Sequence, residues 1–252
     1  MSKTTLNYLV IIFLFISIII SCDNSTDNIN PIPGKVQLVT KSSENDVVER
    51  GIDATALPGQ TRNAIIIEWN SVEDNDFKEY RVYKSLNDTL NDKFPFLASV
   101  RTPSDNPDTF YVDDNVLDDG GRYYYYVTAV DEEDQQGLRS EIENYRLSEM
   151  ASLNSPSQTD TSFSGEFNWD FPSIVPDSFI FRLIKGDPEA PIQSWTFPHT
   201  VGNNYSSNQT WKTIDLGLPA FQQGNIYHWR IDIIGTENRH GSESNWLRFF
   251  VP

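Results

Sequence analysis

Gly121-Arg122-Tyr123-Tyr124-Tyr125-Tyr126-Val127-Thr128-Ala129-Val130-Asp131 is the stretch whose reading decides the fold. Its residues are aromatic and β-branched, and they alternate. Tyr123, Tyr125, Val127 and Ala129 fall on one face, Tyr124 and Tyr126 on the other. A period of two in such residues is that of a strand, half of it turned to a core. The tight turn Asp118-Asp119-Gly120-Gly121 precedes it. Upstream, Ala64 to Trp69 repeats the pattern, with Ile65, Ile67 and Trp69 one way and Ile66 and Glu68 the other. Tyr80 to Lys84 sets Tyr80 and Val82 on one face. Phe94 to Val100, Thr109 to Val112 and Gly137 to Leu147 supply further strands, and Val36 to Val39 reads as the first. Residues 40–62 are polar and irregular, with no legible path. Together these make one unit over residues 36–148.

A second unit covers residues 157–252. Its strands are Glu166 to Trp169, Ser178 to Lys185, Ile192 to Phe197, Thr210 to Leu216, Ile226 to Ile234 and Trp246 to Val251. In Ile226 to Ile234, Tyr227, Trp229, Ile231 and Ile233 share one face while His228, Arg230 and Asp232 share the other. That split predicts a strand with one face in the core and one in solvent. Between the units, residues 148–156 are polar and read as a linker. No segment from residue 36 onward carries a helical period. The units are a divergent repeat: each has an early strand ending in tryptophan, Trp69 or Trp169, and a later strand opening on tyrosine after glycine, Tyr123 or Tyr227.

The run Ile65-Ile66-Ile67-Glu68-Trp69, the run Phe77-Lys78-Glu79-Tyr80-Arg81-Val82-Tyr83-Lys84-Ser85 and the opening stretch resemble the fibronectin type III family. Phe167-Asn168-Trp169, Phe179-Ile180-Phe181-Arg182 and Tyr227-His228-Trp229-Arg230-Ile231 resemble it more loosely. The resemblance spans nearly the whole chain after residue 35. It implies an all-β protein of two tandem immunoglobulin-like, fibronectin type III β-sandwiches, which come after the signal peptide and short linker expected from the N-terminal residues. It also implies core roles for Trp69, Tyr80, Tyr123, Trp169, Tyr227 and Trp229. Tyr123 and Tyr227 resemble the tyrosine corner, in which the hydroxyl bonds a backbone group upstream.

The N-terminus is a separate element. Lys3 is followed by an apolar run from Leu9 to Ile20, broken only by Ser17. It falls short of the ~20 residues a spanning helix needs and fits the apolar region of a secretory signal. The sequence Ile19-Ile20-Ser21-Cys22 resembles the lipobox of bacterial lipoproteins. That resemblance implies a signal peptide over residues 1–21, cleavage before Cys22 and diacylglyceryl attachment to its sulfur. An uncleaved N-terminal anchor is the alternative, and either tethers the chain to a membrane. Residues 22–35 then form a polar linker with two prolines and a glycine. The expected location is the cell envelope, outside the cytoplasm, at the outer membrane or cell surface rather than the inner membrane. Cys22 is the only cysteine, so no intramolecular disulfide is available.

Composition narrows the function. A formal charge of -17 repels phosphate backbones and excludes a nucleic-acid partner. His199, His228 and His240 match no metal-ligand spacing, and His228 is expected on a solvent face. No nucleophile elbow or phosphate-binding glycine loop is present, so no catalytic residue, cofactor or metal is expected. The acidic runs Asp113-Asp114, Asp118-Asp119 and Asp131-Glu132-Glu133-Asp134 read first as solvated turns; calcium is the milder alternative. The remaining signal is aromatic. Tyr83, Tyr124 and Tyr126 face outward on strands expected to be neighbours, as a ligand patch or as ordinary cross-strand pairs. Trp195, Trp211 and Trp246 read as core or rim before ligand contact. The chain is therefore expected to be a non-catalytic interaction or structural module with a protein or glycan partner. A carbohydrate-binding accessory lipoprotein is the alternative, and a carboxylate-dependent hydrolase a more distant one.

Overall fold

The structure, a computed structural model, describes residues 30–252 except positions 47, 88, 90–92, 102–107, 117–120, 159–161, 173–175, 177, 202–205, 214–215 and 219. The expected signal peptide 1–21, Cys22, most of the 22–35 linker and the Asp118-Asp119 turn lie outside the described residues. Among the described residues there are strands but no helix, and so no helix long and apolar enough to cross a membrane.

The first sandwich packs a three-stranded sheet on a four-stranded one. Strands β1 (Asp53–Ala56), β2 (Asn63–Glu68) and β5 (Phe110–Asp113) lie in the order β1-β2-β5. Facing them are β3 (Phe77–Leu86), β4 (Phe96–Val100), β6 (Arg122–Asp131) and β7 (Glu143–Leu147), ordered β7-β6-β3-β4. The second sandwich repeats the plan. Strands β8 (Ser152–Ser155), β9 (Glu166–Asp170) and β12 (Asn208–Lys212) form one sheet, ordered β12-β9-β8. Strands β10 (Ser178–Asp187), β11 (Ala190–Thr200) and β13 (Asn225–Ile234) form the other, ordered β11-β10-β13; β14 (His240–Glu243) and β15 (Leu247–Val251) both pair with β13. The fold is all-β, two tandem immunoglobulin-like sandwiches of the fibronectin type III kind.

Each sandwich has its own apolar core, filled by the alternating residues of facing strands. In the first, Ile65, Ile67 and Trp69 meet Tyr80, Val82, Tyr123, Tyr125, Val127 and Ala129. In the second, Phe167 and Trp169 meet Phe179, Phe181, Leu183, Tyr227, Trp229, Ile231 and Phe249. Each such side chain contributes about 1.5–3 kcal/mol by leaving water. The six residues expected in the cores, Trp69, Tyr80, Tyr123, Trp169, Tyr227 and Trp229, are all buried. Tyr227 forms the expected corner: its hydroxyl accepts the Gln222 N–H, 3.1 Å away and five residues upstream. The equivalent upstream segment for Tyr123 lies at residues 117–120, outside the described residues. In the first sandwich Tyr80 makes a comparable bond, accepting the Val72 N–H at 3.0 Å.

Several expectations are corrected. Val36 to Val39 is not a regular strand; it touches the sheet through one bridge, Leu38 to Trp69, and bonds such as Val39 N–H to Glu68 O at 2.9 Å. The edge strand is instead β1, inside the 40–62 stretch whose path was not legible. The supposed linker at 148–156 is largely built into the second sandwich. Within it, β8 pairs with β9 and Ala151 lies in the second core. The fourth strand of the second unit runs Asn208–Lys212 rather than Thr210 to Leu216.

The two sandwiches also share a sheet. β14 pairs in parallel with β7, joining the two larger sheets into one continuous series β11-β10-β13-β14-β7-β6-β3-β4. Arg146 N–H donates to Arg239 O at 3.0 Å and Ser148 N–H to Gly241 O at 2.9 Å. Gly241 is required where β14 lies against β13, since a Cβ there would fall 2.2 Å from Ile233 O; it would also lie 3.3 Å from the Tyr145 hydroxyl of β7. Residues 32–252 accordingly form one compact unit.

Candidate functional site

Two places on this framework combine chemistry with access. The first is the outward aromatic patch. β3 and β6 are neighbours, and their register sets Tyr83 opposite Tyr126. The two rings stack, with centroids 4.7 Å apart and planes 17° from parallel. Phe94 packs on Tyr126 at 5.1 Å, and Phe96 meets Tyr83 edge-on at 6.0 Å. The Arg139 guanidinium lies 5.9 Å from the Tyr126 ring. Gln136 fixes one end, its amide donating to the Tyr83 hydroxyl at 3.1 Å and to Thr128 Oγ at 3.0 Å. Phe96 stays 55% exposed, so the patch is open to solvent at the β4 edge. Tyr124, two residues before Tyr126 on the same face, is set opposite Ser85 and Asn144 and takes no part in the stack. Tyr83 and Tyr126 were expected in this patch and Phe94 and Phe96 were not, because the two phenylalanines open an expected strand whose alternation does not say which rings of β3 and β6 they meet.

The second place is the junction. The outer face of β13 and its neighbour β10, expected in solvent, is covered from the first sandwich by Glu44, Asp46 and Glu49. Arg182 and Asp232 are buried, and Arg230 is nearly so. Arg230 pairs with Asp232 at 2.8 Å, with Glu49 at 3.0 Å and with Glu243 at 2.8 Å. Arg182 pairs with Asp232, reaches Glu49 at 3.1 Å, and donates to the carbonyls of Glu44 and Asp46, each at 2.7 Å. Lys41 pairs with Asp53 and reaches Glu44 at 3.2 Å. Asn63 closes the edge, its amide exchanging two 2.8 Å bonds with the backbone of Glu243.

Carboxylates outnumber cations here, and the acid equilibria register it. Burial pushes Glu49 up to about 10, with repulsion from Asp232, Glu243 and Asp53 adding to it. Burial also raises Glu243 to about 7, against the pull of Arg230. Two carboxylate trios in this network, Glu44-Glu49-Asp53 and Glu49-Asp232-Glu243, have oxygens close enough to share a cation. That role is taken by Lys41, Arg182 and Arg230. His228 is half-buried, not simply exposed: its Nδ1 lies 2.8 Å from Gly186 O, and burial lowers its basicity.

The acidic runs are likewise not all solvated turns. Asp113 is buried and takes a 2.8 Å bond from the Tyr125 hydroxyl and a 2.8 Å pair from Lys84. Asp131 is buried and accepts from the Gln135 N–H at 2.7 Å. Asp76, Asp131 and Glu133 converge, and a hydrogen bond from the protonated Glu133 carboxyl to Asp76 raises Glu133, as expected of acids that share a proton.

Two crevices flank Trp246 at the junction. One, of ≈ 370 Å³, has Glu49, Arg182, Arg230 and Glu243 in its wall. The other, of ≈ 540 Å³, lies between the β1–β2 turn and the β8 edge of the second sandwich.

The chain is similar to the FN1–FN3 domains of chicken CNTN1, at 13% identity and a TM-score of 0.31, over 88% of this chain and 67% of that one. It is similar to a two-domain fibronectin type III segment of chicken tenascin, at 11% identity and a TM-score of 0.29, over 86% and 97%. A β-1,2-glucanase from Parabacteroides distasonis is similar at 23% identity and a TM-score of 0.30, over 48% of this chain and 14% of that one. No protein-family model and no curated protein matches the sequence.

Proposed function

We propose that this chain is a non-catalytic module of the cell envelope, lipid-anchored through Cys22 and facing outside the cytoplasm, that works by binding a partner. The observation that carries this is the aromatic patch. Tyr83 and Tyr126 are stacked and held by Gln136 on a rigid sheet, with Phe96 open beside them. An aromatic surface fixed by its own packing binds with little loss of conformational freedom, and exposed apolar patches mark interaction sites. The shared sheet makes the same body suited to a spacer role. Carbohydrate binding is the second reading, favoured by the near-parallel Tyr83–Tyr126 pair with an amide at its rim.

The test uses the detergent-solubilised full chain on peptide and glycan arrays, with a Tyr83→Ala/Tyr126→Ala variant beside it. Saturable binding lost in the variant supports recognition at the patch, and the array that responds decides between the two readings. Binding that the variant keeps, or turnover of a bound glycan, counts against the proposal. For the anchor, Cys22→Ser is expected to release the chain from the membrane fraction; unchanged partition would refute lipidation.

A further inference from the structure

The third strand pairing of the second sandwich is broken in the middle. β14 and β15 both run along β13, but residues Ser244, Asn245 and Trp246 interrupt them. Ser244 holds the break closed: its hydroxyl accepts the Ile231 N–H at 2.9 Å, and its own N–H donates to Ile231 O at 2.9 Å. An interruption of this kind re-aims the side chains it carries. Here it turns Trp246 toward the junction, where the residue lines both crevices. Among the described residues no other aromatic ring packs on Trp246. The Arg230 guanidinium lies 4.8 Å from its ring and covers it on the charged side. The residue therefore stands between a crevice walled by several charged side chains and one whose lining holds, among the described residues, a single carboxylate, that of Glu149.

The less charged crevice is the roomier of the two, at ≈ 540 Å³. Its polar lining is amide and hydroxyl, from Gln60, Thr61, Ser152 and Asn245; among the described residues Glu149 is its one ionisable side chain. The Asn245 amide donates to Gln60 O at 2.7 Å and ties the two sandwiches together at the rim. Leu153 and Trp246 supply the apolar part. Charged ligands do not suit it. An anion meets the field of a chain with charge -17 and the Glu149 carboxylate in the lining, and that single carboxylate is too few oxygen ligands to hold a cation. A wholly apolar ligand would leave the amides and hydroxyls without partners. What remains is a neutral molecule with hydroxyls that both donate and accept and a C–H face that lies on an indole, at a domain junction where such sites concentrate.

We propose that the crevice beside Trp246 binds a neutral saccharide, stacked on the indole and held by Gln60, Thr61 and Asn245. This rests on reading the chain as a binding module and adds a second site, distinct from the Tyr83–Tyr126 patch. The experiment is calorimetric titration of the detergent-solubilised full chain with neutral oligosaccharides of two to six sugars. Trp246→Ala, Trp246→Phe and Tyr83→Ala/Tyr126→Ala variants are run in parallel, each checked for an unchanged unfolding midpoint. Trp246→Ala is expected to weaken saturable binding about tenfold or more, with Trp246→Phe recovering part of it. Saccharide binding that survives Trp246→Ala but fails in the Tyr83/Tyr126 variant would overturn this inference and leave the proposed function standing. Wild-type protein that binds no neutral saccharide, or binds extended peptides in the crevice instead, would also overturn it.

Discussion

The two sandwiches share a strand plan and fill it differently. The first has an aliphatic core around one tryptophan, and its tyrosines reach out of the core to polar anchors. Tyr125 donates to Asp113, Tyr80 accepts from Val72, and Tyr145 bonds to Asp53. The second is packed ring on ring. Trp229 meets Phe167 at 5.2 Å edge-on and Phe181 at 5.8 Å in a stack, while Trp169 meets Trp211 at 5.7 Å. The lesson is that the fold asks for inward bulk at fixed positions and leaves its chemistry open. One half gains specificity from hydrogen bonds to its core edges, the other from the shape and edge-to-face geometry of its rings.

The largest expected effect comes from the ring cluster. Trp229→Ala removes a fully buried indole and leaves a cavity against Phe167, Trp169 and Phe181, and urea denaturation is expected to register a loss of about 3–5 kcal/mol. Next is the junction. Arg230→Ala leaves the Asp232 and Glu243 carboxylates with less compensation, and a loss of a similar order, about 3 kcal/mol, is expected. A loss under about 1 kcal/mol would mean that water enters the junction freely. In the first sandwich, Tyr125→Phe keeps the ring and deletes one donor to buried Asp113. Burial, then the Asp113 charge, raises this phenol, so it remains a proton donor across the working range. The expected cost is about 1–2 kcal/mol in the same assay. Tyr227→Phe, the corner in the second sandwich, loses a bond to one backbone N–H and is expected to cost about 1 kcal/mol. If Tyr227→Phe proved costlier than Tyr125→Phe, the contrast between hydrogen-bonded and ring-packed cores would fail.

The junction also has a pH signature. Glu49 and Glu243 bind protons more tightly in the folded state than in the unfolded chain, where a glutamate titrates near its ordinary value. In that interval the folded state carries more protons, so stability falls as pH rises. The decline begins above the ordinary glutamate range. The part due to Glu243 levels off near its folded value of about 7, and the part due to Glu49 continues toward about 10. Glu49→Gln imitates the protonated form and is expected to flatten this slope and raise the melting temperature at pH 8.5. A steeper slope in Glu49→Gln would reverse the assignment.

The architecture was legible in the sequence because strands with one apolar face announce themselves. Tyr123 to Ala129 and Tyr227 to Ile233 lie where their alternation put them. The junction was not legible, because periodicity reports polarity and not exposure. Arg230 and Asp232 have the same pattern whether they meet water or the charged 41–53 segment of the other sandwich. β8 and β14 were hidden for a related reason. Their residues, SLNS and HGSE, carry little apolar alternation, and they are strands because β9, β13 and β7 supply the pairing. The patch was half legible: Tyr83 and Tyr126 follow from neighbouring strands, while Phe94 and Phe96 depend on the route of the chain into β4.

That the junction makes the two sandwiches one cooperative body is tested most directly by calorimetric unfolding of the full chain in detergent, beside an Arg182→Ala/Arg230→Ala variant. The wild type is expected to melt in one transition whose calorimetric and van't Hoff enthalpies agree, and the variant in two. Two separate transitions already in the wild type would contradict it.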